Sequence, residues 1–347
     1  MELTDNLNIK GFKPLITPEQ LKEKLPLSDE TAHLIAQSRR TIQSILTGED
    51  KKRIVIVGPC SLHDKKATYE YAVKLKKLQD AFKDKLHIVM RTYFEKPRTT
   101  LGWKGMLYDP GLDGTYDIEG GFIRSREILL EIGKIGLPCA TEFLDPIVPQ
   151  YLAELISWAS IGARTAESQI HRQMASGLSM PIGFKNSTDG NLSSALDAVK
   201  AAASPHSFLG IGRNGQVIIA ETSGNKYGHI VMRGGGDGPN YTAEYVAFAG
   251  VMLQKAGIRN GVIVDCSHAN SNKDFRLQRN ALIDVALQVK SGTKLICGVM
   301  LESFLAEGSQ KPDKPEKLIY GKSLTDGCIG WDETMELVSI FANAIKL

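Results

Sequence analysis

The amino-acid sequence predicts a (β/α)8 barrel, and two observations support this fold class. From Arg53 onward, short apolar runs rich in β-branched residues alternate with segments of helical periodicity, which indicates a parallel sheet covered by helices. Eight such runs occur, the number that closes a barrel of roughly 250 residues. A doubly wound sheet is the alternative, but it would require a phosphate-binding fingerprint after its first strand. The predicted strands are Ile54–Cys60, His87–Tyr93, Cys139–Phe143, Ala159–Arg164, Pro181–Asn186, His229–Gly234, Val262–Ser267 and Leu295–Leu301, and the predicted intervening helices include Thr68–Phe82, Ser125–Ile135, Leu192–Ala203, Thr242–Ala256 and Lys273–Val289.

Two helices are predicted ahead of the first strand. Residues 17–20, Thr-Pro-Glu-Gln, form a capping box with proline at the first helical position, which opens a short helix. Ser28 caps a second helix, which carries isoleucines on one face and stops at Gly48. We therefore divide the chain into an N-terminal helical extension, 1–50, and a barrel, 51–347.

The stretch Gly210–Gly215 fits the pattern G-x-G-x-x-G, but its context argues against a dinucleotide site. That motif binds a dinucleotide when a strand precedes it and a helix follows it. Here the β-rich run Gln216–Thr222 follows, so the Arg-Asn-Gly sequence at 213–215 is predicted to form a hairpin turn. We expect residues 207–222 to form an extra β-hairpin at the N-terminal, non-catalytic end of the barrel.

The composition excludes several classes of protein. The 347 residues are 42% hydrophobic and 23% charged, which excludes a disordered chain, and no apolar run approaches the roughly 18 residues that cross a bilayer. A net charge of +3 gives no general attraction to nucleic acid. Five cysteines without C-x-x-C spacing, in a chain with no recognisable signal peptide, favour reduced thiols and a cytoplasmic location.

Chemically active side chains stand at or just beyond the end of every predicted strand. In a (β/α)8 barrel the carboxyl ends of the strands meet at one face, where the active site lies. We therefore expect these side chains to line one pocket, although each alone would pass for a surface residue. In chain order they are Cys60, Arg91, Lys96, Arg98, Glu142, Arg164, Lys185, Arg233, His268 and Glu302.

Three of these residues, together with Asp326 further along the chain, are candidate metal ligands. Together they offer one sulfur, one nitrogen and two carboxylate donors, which suits a first-row divalent ion such as Mn, Fe, Co or Zn. A structural zinc site would instead favour more cysteines in close spacing. The predicted ligands are Cys60, His268, Glu302 and Asp326.

Six cations are predicted to point into the same pocket, where they repel one another unless anions occupy it. Arginine binds phosphate and carboxylate with two parallel hydrogen bonds, and lysine supplies a point charge. The number of cations therefore fits two phosphorylated substrates, one of which also carries a carboxylate. The six are Arg91, Lys96, Arg98, Arg164, Lys185 and Arg233.

Six motifs in order along the chain resemble those of the 3-deoxy-D-arabino-heptulosonate 7-phosphate (DAHP) synthases of the microbial type I alpha group. The resemblance spans essentially the whole chain. It implies a (β/α)8 barrel with one divalent metal ion, a homo-oligomer (a dimer or a tetramer), and the first step of aromatic amino-acid synthesis. The motifs are Gly58–Ser61, Phe94–Thr100, Gly162–Thr165, Gly183–Asn186, Asp265–Asn270 and Gly298–Ser303.

The resemblance implies a role for each matching residue. The family's phosphoenolpyruvate contacts correspond to Arg91, Lys96, Arg164, Lys185 and Arg233, and its metal ligands to Cys60, His268, Glu302 and Asp326. Erythrose 4-phosphate would contact Arg98 and Thr99. Glu142 would help position water, and Lys96 is the candidate acid for the new hydroxyl group, with His268 as the alternative.

Feedback inhibition by an aromatic amino acid is also implied, through the extension and the hairpin. The position that matches Gly210 tends to be glycine in tyrosine-sensitive members and serine in phenylalanine-sensitive ones, which favours tyrosine; a phenylalanine-inhibited form is the alternative. The effector pocket would be lined by Asp145, Pro149, Ser179, Phe208 and Gly210.

Three other functions remain open from the sequence. A Schiff-base aldolase would use Lys185 as its nucleophile. A barrel that only binds an effector would bind phosphorylated ligands without releasing phosphate. A sister synthase would take a five-carbon sugar phosphate, although the loop 96–99 resembles the four-carbon type.

Overall fold

Eight parallel strands close into a barrel in the computed structural model, which describes residues 4–346. Each barrel strand pairs with the next one along the chain, and the first barrel strand pairs with the last to complete the ring. This confirms the predicted fold class. The barrel strands are β1 (Arg53–Gly58), β2 (Leu86–Arg91), β3 (Cys139–Glu142), β4 (Trp158–Ile161), β5 (Ile182–Lys185), β8 (Gly228–Met232), β9 (Val262–Asp265) and β10 (Ile296–Glu302), with β6 (Ser207–Ile211) and β7 (Val217–Glu221) forming a separate two-stranded sheet.

Helices cover the outer face of the barrel. The five helices predicted between strands are present, but the one after β9 starts later than predicted, because Asn272 and Lys273 adopt left-handed conformations that interrupt a helix. Three shorter or terminal helices were not predicted, and they span Val148–Leu152, Gln169–Gly177 and Trp331–Ala344. The helices are α1 (Pro18–Lys24), α2 (Asp29–Thr47), α3 (Lys65–Phe82), α4 (Ile118–Lys134), α5 (Val148–Leu152), α6 (Gln169–Gly177), α7 (Ser193–Ala202), α8 (Ala243–Lys255), α9 (Gln278–Lys290) and α10 (Trp331–Ala344).

Both N-terminal helices begin where the sequence predicts, and the second one also ends there. Thr17 Oγ1 accepts a hydrogen bond from the Gln20 amide at 3.2 Å, and Gln20 Oε1 accepts one from the Thr17 amide at 3.0 Å. This is the reciprocal capping box. Ser28 caps α2, and Gly48 ends it in a left-handed conformation with φ of 80°.

Helix α2 closes the N-terminal end of the barrel. Ile42, Ile45 and Leu46 are buried in one cluster with Ile54 and other residues near the starts of the strands. The amide that leads into β9, at Gly261, donates to the carbonyl of Leu46 at 3.0 Å. The second helix of the extension is therefore part of the barrel's core.

The predicted hairpin is present and lies at the N-terminal end of the barrel. Strands β6 and β7 pair antiparallel, and Gly215 in the loop between them has a φ of 79°, a value that favours glycine. Thr222 Oγ1 lies 2.7 Å from Ser176 Oγ, at the end of α6 that leads into β5. Within the described chain, no helix is long and apolar enough to cross a membrane.

Candidate active site

Residues from six strands meet in a cleft at the carboxyl end of the barrel. Two adjoining cavities share Arg164, Arg233 and His268 in their walls. The first cavity is also lined by Glu142 and Lys185. The second is lined instead by Glu302 and Asp326, among other residues. The structure therefore brings together side chains that lie far apart in the sequence.

Three of the four predicted metal ligands form a tight group. One ligand atom from each of Cys60, Glu302 and Asp326 lies within 4.8 Å of the other two, close enough to share one ion. Cys60 and Glu302 are buried, whereas Asp326 is exposed. Burial, reinforced by Glu302, raises the pKa of the Cys60 thiol to about 11. Because sulfur and carboxylate oxygen together suit transition-metal ions, the donor set fits the predicted divalent metal.

His268 lies beside this group but is not part of it. Its Nε2 atom is 4.0 Å from Glu302 Oε1, and its Nδ1 atom is 2.8 Å from both Asp265 Oδ2 and Ser267 Oγ. The residue has a φ of 57°, a conformation that is uncommon outside glycine and often occurs at functional sites. A carboxylate behind the imidazole is the usual support of a metal-binding histidine, and this favours His268 as the fourth ligand. Because its ring nitrogens lie outside the tight group, that role stays a prediction.

A buried ion pair joins Arg91 to Glu302, a member of the Cys60–Glu302–Asp326 group, which we call the metal-donor group. Arg91 Nη2 lies 2.8 Å from Glu302 Oε1, and both side chains are almost fully enclosed. The guanidinium also donates to the carbonyls of Pro59 and Cys60 and stacks 3.6 Å above the ring of Tyr93. Arg91 thus lies beneath the cleft and fixes the orientation of Glu302.

A second buried ion pair lies on the floor of the first cavity. Lys185 Nζ is 2.7 Å from Glu142 Oε2, which also accepts a hydrogen bond from Ser160 Oγ at 3.2 Å. Burial disfavours the charged form of both groups, but the attraction between the ammonium and the carboxylate outweighs this effect. The ammonium of Lys185 lowers the pKa of Glu142 to about 2, and the carboxylate raises the pKa of Lys185. Both groups are therefore charged at neutral pH.

Arg164 and Arg233 are the cations available to a ligand in the cleft. Arg164 is exposed and Arg233 half-buried, and within residues 4–346 neither makes an ion pair with a carboxylate. Within the same residues, the guanidinium of Arg233 donates only to the adjacent carbonyl of Gly234, at 3.3 Å. Its pKa is lowered by burial and, more weakly, by Arg164. Two adjacent guanidinium groups without carboxylate partners are suited to bind an anion, so a role in substrate binding stays a prediction.

The loop that follows β2 places one predicted cation, Lys96, beside the metal-donor group. The two residues predicted to contact the sugar phosphate, Arg98 and Thr99, do not line either cavity. Lys96 Nζ lies 3.1 Å from both the carbonyl oxygen and the sulfur of Cys60. Burial acts to lower the pKa of Lys96, but Cys60 and Glu302 raise it overall. Arg98 instead donates to the carbonyl of Trp103 within its own loop, at 2.7 Å, and Thr99 is exposed. Their contacts with a sugar phosphate stay predictions.

Three residues of this region were not predicted from the sequence. Asp265 supports His268, Tyr93 lies under Arg91, and Lys273 adds a cation to the second cavity. Asp265 and Tyr93 stand at or just after strand ends, and this position is a signal that was available in the sequence. Lys273 lies in an irregular segment with a φ of 62°, which no sequence pattern indicated.

The five predicted effector contacts lie on α5 and the segment before it, on the segment between α6 and β5, and on β6. Asp145 is half-buried and accepts a hydrogen bond from the hydroxyl of Tyr108 at 3.3 Å. Pro149 is buried in α5 and Ser179 is exposed. A Cβ atom at Gly210 would lie 3.9 Å from the ring of Phe208. An effector pocket built from these residues stays a prediction.

Fold and site together define a (β/α)8-barrel enzyme in which a Cys–Glu–Asp group that fits a metal ion lies beside a cleft lined by arginine and lysine side chains. The profile of the DAHP synthetase I family matches residues 24–339, and the chain belongs to that family.

Curated relatives include differently regulated enzymes at nearly equal identity. The Phe-sensitive phospho-2-dehydro-3-deoxyheptonate aldolase of Escherichia coli K12 is 51% identical over 342 residues, with 99% of this chain and 97% of that protein covered. The Tyr-sensitive enzyme of the same strain is 50% identical, with coverages of 96% and 94%, and the Trp-sensitive one 48% identical, with 99% of each chain covered. Overall identity therefore does not determine which amino acid regulates this chain.

A solved structure shows the same fold. The phospho-2-dehydro-3-deoxyheptonate aldolase of Francisella tularensis SCHU S4 superposes with a TM-score of 0.96 at 48% sequence identity, covering 97% of this chain and 98% of that one.

Proposed function

We propose that this enzyme condenses phosphoenolpyruvate with D-erythrose 4-phosphate and water to form DAHP and inorganic phosphate. Membership of the DAHP synthetase I family and the relatives' names support the proposal. The observation that carries it is the shared wall of the two cavities, which places the Glu142–Lys185 pair and the Cys60–Glu302–Asp326 group on either side of Arg164 and Arg233. Two anionic substrates bound in these adjoining cavities would meet beside Arg164 and Arg233.

The cations of the first cavity suit phosphoenolpyruvate, which carries a phosphate and a carboxylate. Arg164 and Arg233 have no carboxylate partners in the described chain and face the cleft, so their N–H groups would bind phosphate oxygens. Lys185 adds a charge on the floor of the cavity. When C2 becomes tetrahedral and the phosphate leaves, these cations would stabilise the charge on the leaving group.

Glu142 is suited to hold the attacking water. Carbon 3 of phosphoenolpyruvate forms the new bond to the aldehyde carbon, which leaves positive charge at C2 for water to attack. Because Lys185 lowers the pKa of Glu142 to about 2, the carboxylate is an acceptor throughout the neutral range. It would orient a water molecule by accepting one of its protons in a hydrogen bond.

A divalent ion would be held by Cys60, Glu302 and Asp326, with His268 as the proposed fourth ligand. Such an ion, when bound, supplies Lewis acidity toward the aldehyde oxygen of the sugar phosphate. Lys96 lies 3.1 Å from Cys60 Sγ, and its raised pKa keeps it protonated. We assign to Lys96 the proton for the new hydroxyl group, with His268 as the alternative donor.

A phosphate-release assay with phosphoenolpyruvate and a panel of aldose phosphates tests the proposal. Four-carbon erythrose 4-phosphate is expected to give the highest rate, and chelation of metal with EDTA is expected to abolish it. Rapid turnover of a five-carbon substrate instead would identify the sister synthase. Full activity of the chelated enzyme would contradict the role of the metal.

The Schiff-base aldolase is disfavoured by the state of Lys185. A Schiff base requires an unprotonated amine, whereas the carboxylate 2.7 Å away raises the pKa of this ammonium. Borohydride added together with substrate is therefore expected to leave Lys185 unlabelled. Covalent trapping at Lys185 would restore the aldolase mechanism.

We further propose that the enzyme is a homo-oligomer, either a dimer or a tetramer, that is inhibited by an aromatic amino acid, with tyrosine favoured. The names of the relatives support an aromatic effector, and glycine at position 210 is the residue that favours tyrosine. Initial rates measured with each aromatic amino acid test the assignment. Inhibition by phenylalanine alone or by tryptophan alone would overturn it.

A further inference from the structure

The ring of Tyr93 lies at the centre of three cations beneath the cleft. Tyr93 follows β2 and is 1% exposed. The guanidinium carbon of Arg91 lies 3.6 Å from the ring centroid, Lys185 Nζ lies 5.5 Å from it, and Lys96 Nζ lies 5.8 Å from it. These three cations come from different segments, and the aromatic ring is a neighbour that all of them share.

Three like charges in a water-poor site repel one another strongly. Two of them have carboxylate partners, since Arg91 pairs with Glu302 and Lys185 pairs with Glu142. The aromatic ring adds a compensation of another kind, because its negative face attracts cations and this attraction grows when water is excluded. Unlike a carboxylate, the ring does not carry a net charge that would repel an anionic substrate.

The hydroxyl of Tyr93 connects the same ring to the second ion pair. It lies 2.9 Å from Ser160 Oγ, which donates to Glu142 Oε2 at 3.2 Å. Tyr93 therefore contacts Arg91 of the first ion pair through its ring, and it reaches Glu142 of the second pair through its hydroxyl and Ser160.

We propose that Tyr93 is a positioning residue whose ring holds Arg91, Lys96 and Lys185 in place for the anionic substrate. The inference rests on the proposed function, since phosphoenolpyruvate is the ligand that these cations would serve. It predicts that affinity for phosphoenolpyruvate depends on the electron density of the ring, and only weakly on the hydroxyl group.

A series of ring substitutions separates these contributions with little change of shape. Tyr93 is replaced by phenylalanine and then by mono-, di- and trifluorinated phenylalanine, in which fluorine withdraws electron density from the face. Direct titration of each metal-loaded enzyme with phosphoenolpyruvate gives its Kd. We expect Tyr93→Phe to change the Kd by no more than about threefold, and successive fluorination to weaken binding stepwise to about tenfold, as the cation–π attraction is lost.

Kinetic constants and a matched control exclude a merely structural effect. The KM for phosphoenolpyruvate is expected to rise along the series, while kcat and the KM for erythrose 4-phosphate stay within about threefold. Tyr71, in α3, is the control. It is equally buried and packs on Phe304 and Trp331, outside the cleft. The same fluorinated series at Tyr71 is expected to leave phosphoenolpyruvate affinity unchanged.

Two results would overturn the proposal. One is a Kd for phosphoenolpyruvate that is the same across the fluorinated series, and the other is a loss of affinity in Tyr93→Phe as large as in the trifluorinated variant. Failure of the proposed function is distinguished by the unmodified enzyme, which would then neither bind phosphoenolpyruvate nor release phosphate from it.

Discussion

Lys185 and Glu142 form a buried ion pair at 2.7 Å although they come from strands that are not neighbours in the barrel. The strand between them, β4, contributes Ser160, whose hydroxyl donates to the same carboxylate oxygen. A buried pair of this kind is stable only while both partners are present, because removal of one leaves an uncompensated charge.

The first prediction concerns Glu142. Replacement by glutamine removes the negative charge that balances Lys185 and that we propose holds the attacking water, so we expect kcat to fall by about 10² to 10³. The unpaired ammonium is expected to lower the free energy of unfolding by about 3 kcal/mol. Phosphate release and urea unfolding measure the two effects.

Glu23 offers the control for this experiment, since it is an exposed carboxylate on α1. Glu23→Gln is expected to leave both quantities unchanged. An enzyme that keeps more than half of its kcat after Glu142→Gln would show that this carboxylate does not position water.

The second prediction concerns the metal-donor group. Cys60→Ser replaces the sulfur donor with a weaker hydroxyl ligand, so we expect loss of bound transition metal and of more than 99% of phosphate release, as estimated from about 3 kcal/mol or more for one lost ligand. Elemental analysis after dialysis and the phosphate assay provide the measurements.

Cys297→Ser is the matched control, because this buried thiol donates to the carbonyl of Ile45 at the opposite end of the barrel, and a serine hydroxyl can do the same. Equal metal content in the two variants would argue against Cys60 as a ligand.

The residues of the cleft show what the sequence can and cannot predict. Strand ends are recognisable from apolar runs, and parallel strands place their ends on one face, so Arg164, Lys185 and Arg233 were predicted to meet without coordinates. The direction of a side chain depends on packing. Arg98 turns back to the carbonyl of Trp103, and a motif that names Arg98 does not contain this information.

The floor of the barrel illustrates the same limit. The isoleucine pattern of α2 predicts a buried face, but it does not show which surface covers that face. The structure shows that Ile42 and Ile45 are buried in one cluster with Ile54 and Cys297 at the starts of strands. Short helices such as α5 escaped prediction because a segment of five residues contains too little periodicity.

The third prediction follows from the burial of α2 in the barrel floor. Ile45→Ala is expected to lower the free energy of unfolding by about 2 to 5 kcal/mol, because it leaves a cavity in a packed core. Removal of residues 1–50 exposes the whole floor, so we expect that truncated chain not to fold. Ile9→Ala serves as the control, since Ile9 is 49% exposed. A stable barrel that begins at residue 51 would contradict the prediction and would support the division of the chain at residue 50.

The fourth prediction concerns stability in acid. His229 is fully buried in the barrel, where its Nε2 accepts a hydrogen bond from Trp158 Nε1 at 3.0 Å. Burial lowers the pKa of His229 to about 4, whereas the unfolded chain has a value near 6.5. Between pH 6.5 and pH 4 the unfolded state therefore binds a proton that the folded state does not. The contribution of neutral, buried His229 to the free energy of unfolding is therefore fully present above pH 6.5, and the free energy of unfolding falls by about 3 kcal/mol as the pH drops to 4.

Urea unfolding at a series of pH values tests this linkage. His229→Gln keeps an acceptor for Trp158 but does not titrate, so its stability is expected to fall less steeply between pH 6.5 and pH 4. His206→Gln, at the edge of the hairpin, is expected to retain the steeper dependence of the unmodified enzyme. Identical slopes for His229→Gln and the unmodified enzyme would show that another group accounts for acid sensitivity.

The fifth prediction concerns the amino-acid effector. A Cβ atom at Gly210 would lie 3.7 Å from Ala220 and 3.9 Å from Phe208, ordinary contact distances, so Gly210→Ser is expected to fold normally and to keep its kcat. In the proposed effector site, the added hydroxyl would take up space that the phenol of a bound tyrosine needs. We therefore expect the variant to require at least about tenfold more tyrosine for half-inhibition, as steric exclusion of one group costs roughly 1.4 kcal/mol or more. Gly212→Ser, in the hairpin loop, controls for substitution in this segment. Unchanged inhibition by tyrosine in Gly210→Ser, with the unmodified enzyme fully sensitive, would place the effector away from β6.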